Sequence, residues 1–122
     1  MGIAINGLFD KIGIGVDIEE ISRFRELDFD QNRDFYEKVF HEDEIKYCLG
    51  KTDMYEHFAV RFCAKEAFIK AMKRMLDYKA IEVRMNDNAP FIFWNDKEHL
   101  LSVSHDKSQA IAMVIIEHVK AK

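Results

Sequence analysis

The longest helical segment expected in this chain places the strongest constraint on its fold. Met54 to Leu76 contains neither Pro nor Gly, the two residues that most disfavour a helix interior. Thr52 or Asp53, just before this stretch, can cap the first turn through a side-chain oxygen. The sequence therefore predicts one long helix against which the other elements must pack.

An alternating segment near the start of the chain, Ile12 to Ile18, predicts a β-strand, because strand side chains point in turn to opposite faces. One face would be apolar and carry Ile12, Ile14, Val16 and Ile18. The other face would carry Gly13, Gly15 and Asp17. Two glycines beside a carboxylate predict space for a ligand on that second face.

Three short helices are expected between the strand and the long helix. Ser22 can cap the first, which would run to about Leu27, and Phe35 to Phe40 predicts the second. Acidic residues open the third, Glu42 to Leu49, where they favour the helix dipole, and Gly50 ends it.

The second half of the chain has the period of β-structure. Strands are expected at Ala80 to Met85, Phe91 to Trp94, Leu100 to His105 and Ala110 to Val119. The last is apolar on both faces and should be central, whereas Asn95 to His99 is short enough to form a hairpin. The expected class is α+β, a mostly antiparallel sheet packed with one long helix and short helices.

Length and charge limit the possible functions. At 122 residues the chain fits one domain, and its net charge of -4 argues against general nucleic-acid binding. The segment Arg61 to Arg74 nevertheless holds five basic residues and a single acid. A confined positive patch of this kind favours a small anionic ligand over a polyanion.

Cysteine content and hydropathy indicate the compartment. Cys48 and Cys63 are too few for a disulfide framework and lack zinc-site spacing, so both are expected to be reduced packing residues. No segment approaches the roughly 20 apolar residues of a membrane helix, and the first ten residues lack a signal-peptide pattern. A soluble, cytoplasmic protein is expected.

The long helix would project a charged stripe. At about 100° per residue, Glu66, Lys70 and Lys73 fall within about 60° of one another. Together with Asp17 from the strand, Glu66 could hold Mg²⁺, which takes one or two carboxylates plus substrate phosphates, while the lysines balance phosphate charge. The alternative is an ordinary i,i+4 ion pair on a solvated helix, and spacing alone leaves both open.

Other catalytic motifs fail on spacing. Ser104, His105 and Asp106 are adjacent in a strand and so cannot form a hydrolytic triad by themselves. Gly13-Ile14-Gly15 lacks the third glycine and following helix of a dinucleotide site, and no Gly-Lys-Ser/Thr phosphate loop occurs. The sequence therefore supports neither a dinucleotide-dependent oxidoreductase nor an ATPase.

Three segments match one known family in order and separation. They are Gly15-Val16-Asp17-Ile18-Glu19-Glu20-Ile21-Ser22-Arg23, Arg61-Phe62-Cys63-Ala64-Lys65-Glu66-Ala67-Phe68-Ile69-Lys70-Ala71 and Ser102-Val103-Ser104-His105. The chain thereby resembles the holo-acyl-carrier-protein synthases, the small 4'-phosphopantetheinyl transferases. The resemblance covers about Ile12 to Glu117 and implies a single transferase domain at 12–119 behind an N-terminal extension at 1–11.

The resemblance implies an activity. The enzyme would move the 4'-phosphopantetheine arm of coenzyme A to a serine of an apo acyl carrier protein and release 3',5'-ADP. Asp17 and Glu66 would bind Mg²⁺, and Lys70 would stabilise charge on the pyrophosphate, so these three residues would form the catalytic set. The acceptor protein, its fatty-acid or polyketide context and the base that activates the serine stay open.

The resemblance also implies binding residues and an assembly. Arg61, Lys65, Ser104 and His105 would bind coenzyme A, and Arg23 would contact the acidic carrier protein. Because family members of this length are usually homotrimers with active sites between subunits, the resemblance implies the same assembly here.

The chain departs from the family pattern after the lysine helix. The family has a Gly-rich turn there, whereas Met72-Lys73-Arg74-Met75-Leu76 contains no glycine. Only Asn95 to His99 stands where the family inserts a helix. These differences keep a second hypothesis open, a noncatalytic carrier-protein-binding module of the same fold.

Overall fold

The computed structural model describes residues 11–118. The extension expected at 1–11 therefore lies outside the described residues except for Lys11, and so does Val119, the expected end of the last strand. The strands are β1 (Ile12–Glu20), β2 (Glu82–Asn86), β3 (Ala89–Trp94), β4 (Lys97–His105) and β5 (Gln109–Glu117). The helices are α1 (Ile21–Arg25), α2 (Arg33–Val39), α3 (Glu42–Leu49) and α4 (Met54–Met72), and a 3₁₀ turn spans Tyr78–Ala80.

The five strands form one antiparallel sheet in the order β1-β5-β4-β3-β2. β5 lies between β1 and β4, so the predicted central strand is confirmed, as is the α+β class. Asn95 and Asp96 join β3 to β4 with φ values of 53° and 61°. Asn and Asp tolerate this left-handed backbone well, which explains how a two-residue hairpin forms without glycine.

Helix α4 packs directly against β1, and two glycines permit this contact. A Cβ atom at Gly15 would overlap the carbonyl oxygen of Ala67 and lie 2.7 Å from the nitrogen of Ala71. A Cβ atom at Gly13 would overlap the carbonyl oxygen of Ala71. The prediction that these glycines leave space for a ligand was wrong, because the helix backbone fills that space.

The helix ends four residues earlier than expected. Lys73 follows Met72 with φ 61° and ψ 32°, a left-handed conformation, and its amide bonds to the carbonyl of Ile69. A left-handed residue at this position ends many helices and is usually glycine. Lys73 therefore makes the turn that follows α4. It does not lie on the helical stripe that it was expected to share with Glu66 and Lys70.

Helix α4 is buried on two sides. One side packs on the sheet through small residues such as Ala64 and Ala67. The other side packs on an aromatic cluster from the short helices, in which the rings of Tyr36 and Phe58 have centroids 4.7 Å apart. Cys63 lies in the first core and Cys48 in the second, both as free thiols. Burial raises the pKa of Cys48 to about 12, which suits the expected packing role.

A buried ion pair joins three elements of the fold. Glu44, in the first turn of α3, accepts from the backbone of His41 at 2.8 Å and from Val83 at the start of β2 at 2.9 Å. Lys65 of α4 donates to the same carboxylate at 2.7 Å, and the two side chains are 0% and 3% exposed. Acidic residues open α3 as expected, and His41 and Glu44 also form a capping box at the start of this helix.

The first short helix begins differently from the expectation. α1 starts at Ile21, and Glu20 precedes it without a side-chain capping bond, so Ser22 is not its cap. The cap of α4 is Asp53, whose carboxylate accepts from the backbone of Glu56.

The sheet face opposite α4 is apolar and exposed in the single chain. Alternation places Ile12, Ile14, Val16 and Ile18 of β1 there, together with Leu100 of β4 and Ile111, Met113 and Ile115 of β5. The pairs Ile14–Ile115 and Val16–Met113 are direct cross-strand neighbours. This set of eight residues is called the open face below.

None of the helices within residues 11–118 is long and apolar enough to cross a membrane.

Gly15→Ala should destabilise the protein by at least about 2 kcal/mol, because the new methyl group must push α4 away from β1. Gly50→Ala is the matched control, since its Cβ would meet nothing closer than 3.5 Å. Urea unfolding of both variants tests this, and equal stabilities would contradict the close packing of helix and strand.

Lys65→Met should cost about 3–5 kcal/mol of unfolding free energy, because it leaves the Glu44 carboxylate buried without its counter-ion. Lys107→Met, in the exposed turn before β5, should cost less than about 0.5 kcal/mol. Adding Glu44→Gln to Lys65→Met should recover part of the loss by removing the unpaired charge. A double variant that adds the two single costs would contradict the coupling.

Candidate active site

A cluster of charged side chains lies where α4 crosses β1 at the edge of the sheet. Asp17 lies on the helix-facing side of β1, and Lys70 of α4 donates to its Oδ1 at 2.9 Å. Lys70 also donates to the Val16 carbonyl at 3.1 Å. This contact is available because β1 is the outermost strand. The bond to Asp17 raises the pKa of Lys70, so its exposed ammonium stays charged.

Glu66 precedes Lys70 by one helical turn and is held from a different direction. Its Oε1 accepts a hydrogen bond of 3.1 Å from the hydroxyl of Tyr78, in the 3₁₀ turn after α4. Burial and the neighbouring Glu66 carboxylate raise the pKa of Tyr78, so the phenol remains a donor at neutral pH. The ring of Tyr78 stacks on Phe62 with centroids 5.5 Å apart.

Glu19 adds a third carboxyl group to the cluster. It lies two residues after Asp17 on the same side of β1, is 7% exposed and pairs with Arg23 at 3.0 Å. Burial raises its pKa to about 7, and the neighbouring charges of Asp17 and Glu66 add to this effect. Both carboxylates therefore act on Glu19, and Glu66 lies one helical turn from Lys70, the residue that bonds to Asp17.

Asp17 has an oxygen available for a cation. Its Oδ2 is buried and has no hydrogen-bond partner among residues 11–118, which is uncommon for a buried polar atom. In the same part of the chain, no three His, Cys, Asp or Glu side chains gather as a complete metal site. Two carboxylates with open positions suit Mg²⁺, which completes its shell with water and substrate phosphates.

Lys65 lies away from this cluster, inside the protein. Its ammonium bonds to Glu44, to the Tyr78 carbonyl at 2.9 Å and to the Ile81 carbonyl, which uses all three of its hydrogens. Burial lowers the pKa of Lys65, although its partner Glu44 opposes that effect. The expectation that Lys65 binds coenzyme A therefore does not fit the structure, and its role is structural.

Arg61 is also buried, at 4% exposed, but its guanidinium is only partly satisfied. The group lies 4.1 Å from the ring centroid of Tyr47 and makes a long bond of 3.5 Å to the His57 carbonyl. Its Nε has no partner in the described part of the chain. It lines a cleft of about 320 Å³ beside Tyr47 and Arg84, where it can still meet an anion.

Ser104 and His105 face opposite sides of the sheet. Ser104 is opposite Ile111 and belongs to the side of the open face. His105 turns to the helix side, where its Nδ1 lies 3.2 Å from Glu56 in the first turn of α4. Glu56 precedes Glu66 by ten residues, or about 15 Å along the helix axis. A single protomer therefore does not bring His105 to the carboxylate cluster.

Arg23 lies at the border of the carboxylate cluster, and Asp106 lies in the turn before β5. Arg23 is 69% exposed at the side chain and borders the cluster through Glu19. Asp106 accepts from the backbone of Ser108 and Gln109 in the turn before β5, which agrees with the exclusion of a Ser-His-Asp triad.

Sequence reasoning missed Glu19 and Tyr78. Glu19 could have been found, because it continues the alternation that places Asp17 on one side of β1. Tyr78 lies in a non-periodic turn, and no pattern in the sequence indicates that it reaches Glu66.

Comparisons with known proteins identify the family of the chain. A family model described as the 4'-phosphopantetheinyl transferase superfamily matches residues 13–115. The holo-[acyl-carrier-protein] synthase of Thermodesulfovibrio yellowstonii is 39% identical over 109 residues, which cover 85% of this chain and 96% of the relative. That of Chlamydia trachomatis serovar L2 is 37% identical over 117 residues, covering 86% and 98%.

Solved structures of the same class have the same fold. A holo-(acyl-carrier-protein) synthase from Bacillus anthracis in complex with CoA (3',5'-ADP) is similar at a TM-score of 0.76 and 34% identity, covering 89% of this chain and 99% of that one. The Helicobacter pylori synthase in complex with coenzyme A is similar at 0.74 and 26%, covering 86% and 99%. The chain therefore belongs to the holo-[acyl-carrier-protein] synthases of the 4'-phosphopantetheinyl transferase superfamily, and it is an enzyme of that class.

Proposed function

We propose that this enzyme transfers the 4'-phosphopantetheine group of coenzyme A to a serine of an apo acyl carrier protein in a Mg²⁺-dependent reaction. The serine oxygen bonds to the phosphorus that carries the pantetheine arm, and the bond from that phosphorus to the bridging oxygen breaks. The bridging oxygen leaves with 3',5'-ADP. The observation that carries the proposal is the buried Oδ2 of Asp17, which has no hydrogen-bond partner in the described part of the chain. It belongs to a carboxylate that is bonded to Lys70, one helical turn from Glu66.

Each residue of the cluster has a distinct role in this reaction. Asp17 and Glu66 would hold Mg²⁺, which when bound would neutralise charge on the pyrophosphate. Lys70 is exposed and cationic one turn beyond Glu66, so its ammonium can donate to a pyrophosphate oxygen as well as to Asp17. Phosphoryl transfer depends mainly on such positioning and electrostatic stabilisation.

Coenzyme A binding is proposed to involve Arg61, Ser104 and His105. Arg61 supplies a guanidinium whose Nε is unsatisfied, and His105 supplies a half-exposed imidazole. His105 lies near the first turn of α4, about 15 Å along that helix from Glu66. A complete site is therefore proposed to combine the Asp17 and Glu66 carboxylates of one subunit with Ser104 and His105 of a neighbour.

A homotrimer is the proposed assembly, and the open face supports it. Eight large apolar side chains are exposed there, with Ile14 at 62% and Leu100 at 70%. A contiguous apolar patch on this scale marks an interaction surface. The open face includes β1, the strand that carries Asp17, so a subunit that covers it would lie beside the catalytic residues.

The carrier protein is proposed to dock beside α1. Arg23 extends into solvent from α1 and contacts the cluster through Glu19. It can therefore meet an acidic carrier protein while the acceptor serine reaches the site next to it. Both substrates are intracellular molecules, so the proposed location of the reaction is the cytoplasm.

A noncatalytic binding module was the second hypothesis from the sequence, and the match to an enzyme family argues against it. The observation that favours it is the left-handed Lys73, followed by Arg74, where glycines would allow close approach of phosphate to the backbone. The same chain nevertheless keeps Asp17, Glu66 and Lys70 together. Catalysis therefore remains the better-supported function.

Incubation of the enzyme with coenzyme A and an apo carrier protein should add the phosphopantetheine mass to the carrier only when Mg²⁺ is present. Glu66→Gln should lower the rate by at least about a hundredfold, because it removes a preorganised charge from the site. Glu37→Gln, exposed on α2, is the control. Mass spectrometry gives the readout, and binding of the carrier without any mass gain would favour the noncatalytic module.

Met113→Glu, in the middle of the open face, should dissociate the proposed trimer, because it places a charge opposite Val16 on a surface that the assembly would bury. Leu49→Glu, at the end of α3 away from the sheet, should leave the assembly intact. Sedimentation equilibrium measures both, together with the transfer rate, which should fall with assembly. A parent protein that sediments as a monomer would refute the trimer.

A further inference from the structure

We infer that Tyr78 is a positioning residue, whose hydroxyl fixes the Glu66 carboxylate in its metal-binding orientation. The inference rests on the function proposed above and adds a residue that neither the family motifs nor the catalytic set includes.

The contacts of Glu66 show why it needs such a partner. Lys70 lies one turn away on the same helix, but its ammonium bonds to Asp17 and to the Val16 carbonyl. Within residues 11–118, the hydroxyl of Tyr78 is the group that donates to Glu66, at 3.1 Å. It engages Oε1 and so leaves Oε2 for the cation.

Tyr78 is itself held by contacts that do not involve Glu66. Its ring stacks on Phe62 with an interplanar angle of 22°. Its carbonyl accepts from the buried Lys65 at 2.9 Å and from the backbone of Ile81 at 3.1 Å. The hydroxyl is therefore presented to Glu66 by a fixed ring and a fixed backbone, as required of a group that orients another.

A flexible glutamate gains metal affinity when one oxygen is fixed in advance. Outer hydrogen-bond partners of metal ligands orient the ligand, and removing them typically lowers metal affinity by about 10- to 100-fold. Tyr78→Phe deletes only the hydroxyl and keeps the ring on Phe62. Tyr55→Phe is the matched control, because its hydroxyl accepts from the Phe29 amide at 3.0 Å, away from the site.

The first measurement is Mn²⁺ affinity, read from the electron paramagnetic resonance signal of free Mn²⁺ in the presence of coenzyme A. Tyr78→Phe should bind Mn²⁺ about 10- to 100-fold more weakly than the parent, and Tyr55→Phe should bind it as the parent does. Equal affinity in the parent and Tyr78→Phe would overturn the inference.

The second measurement separates positioning from general stability. The Mg²⁺ concentration that gives half the maximal transfer rate should rise in Tyr78→Phe by about the same 10- to 100-fold, while kcat at saturating Mg²⁺ changes little. A purely structural role would lower the melting temperature or the active fraction and leave the Mg²⁺ requirement unchanged. That result, or a Tyr78→Phe protein that does not fold, would overturn the inference.

Measurements on the parent protein distinguish a failure of the proposed metal site from a failure of the role of Tyr78. A parent that binds no Mn²⁺ and transfers without Mg²⁺ refutes the proposed metal site and the role of Tyr78 with it. A parent that requires Mg²⁺, beside a Tyr78→Phe variant with the same requirement, refutes only the role of Tyr78.

Discussion

The buried pair of Lys65 and Glu44 is the interaction on which the rest of the structure depends. Taking two charges out of water is costly, and the cost is offset only when both groups are fully hydrogen-bonded. Here the carboxylate also accepts from the backbone at the starts of α3 and β2, and the ammonium also donates to the carbonyls of Tyr78 and Ile81. One ion pair therefore fixes the short helices, the long helix and the turn that leads into the sheet.

The candidate active site is built from the neighbours of that pair. Glu66 follows Lys65 directly, so anchoring one residue inside the protein sets the direction in which the next one leaves the helix. Lys65 also holds the backbone of Tyr78, whose side chain reaches round to Glu66. On the opposite side, the absence of Cβ atoms at Gly13 and Gly15 lets β1 approach α4, which brings Asp17 within reach of Lys70. Backbone contact between strand and helix thus brings Asp17 to the part of α4 that carries Glu66 and Lys70.

Sequence patterns predicted the elements whose periodicity is strong and the residues that lie on them. The long helix, the helix from Glu42 to Leu49 and the central last strand were all predicted, and Asp17 and Glu66 lie on adjacent elements as expected. The different roles of Lys65 and Lys70 could not be predicted, because two lysines on one helix differ only in what packs around them. The glycines were misinterpreted for a similar reason, since alternation gives the face but does not say whether a ligand or a helix occupies it.

The two faces of β1 place the candidate active site beside the proposed subunit interface. Asp17 and Glu19 point toward α4, whereas Val16 and Ile18, one residue away on either side, belong to the open face. A subunit seated on the open face would therefore lie within a few ångströms of the backbone that carries Asp17. Ser104 also lies on that side of the sheet, and His105 approaches α4 far from Glu66 in its own protomer. If neighbouring copies complete each other's coenzyme A sites, a charge on the open face should abolish transfer while the carboxylate cluster of each protomer stays intact.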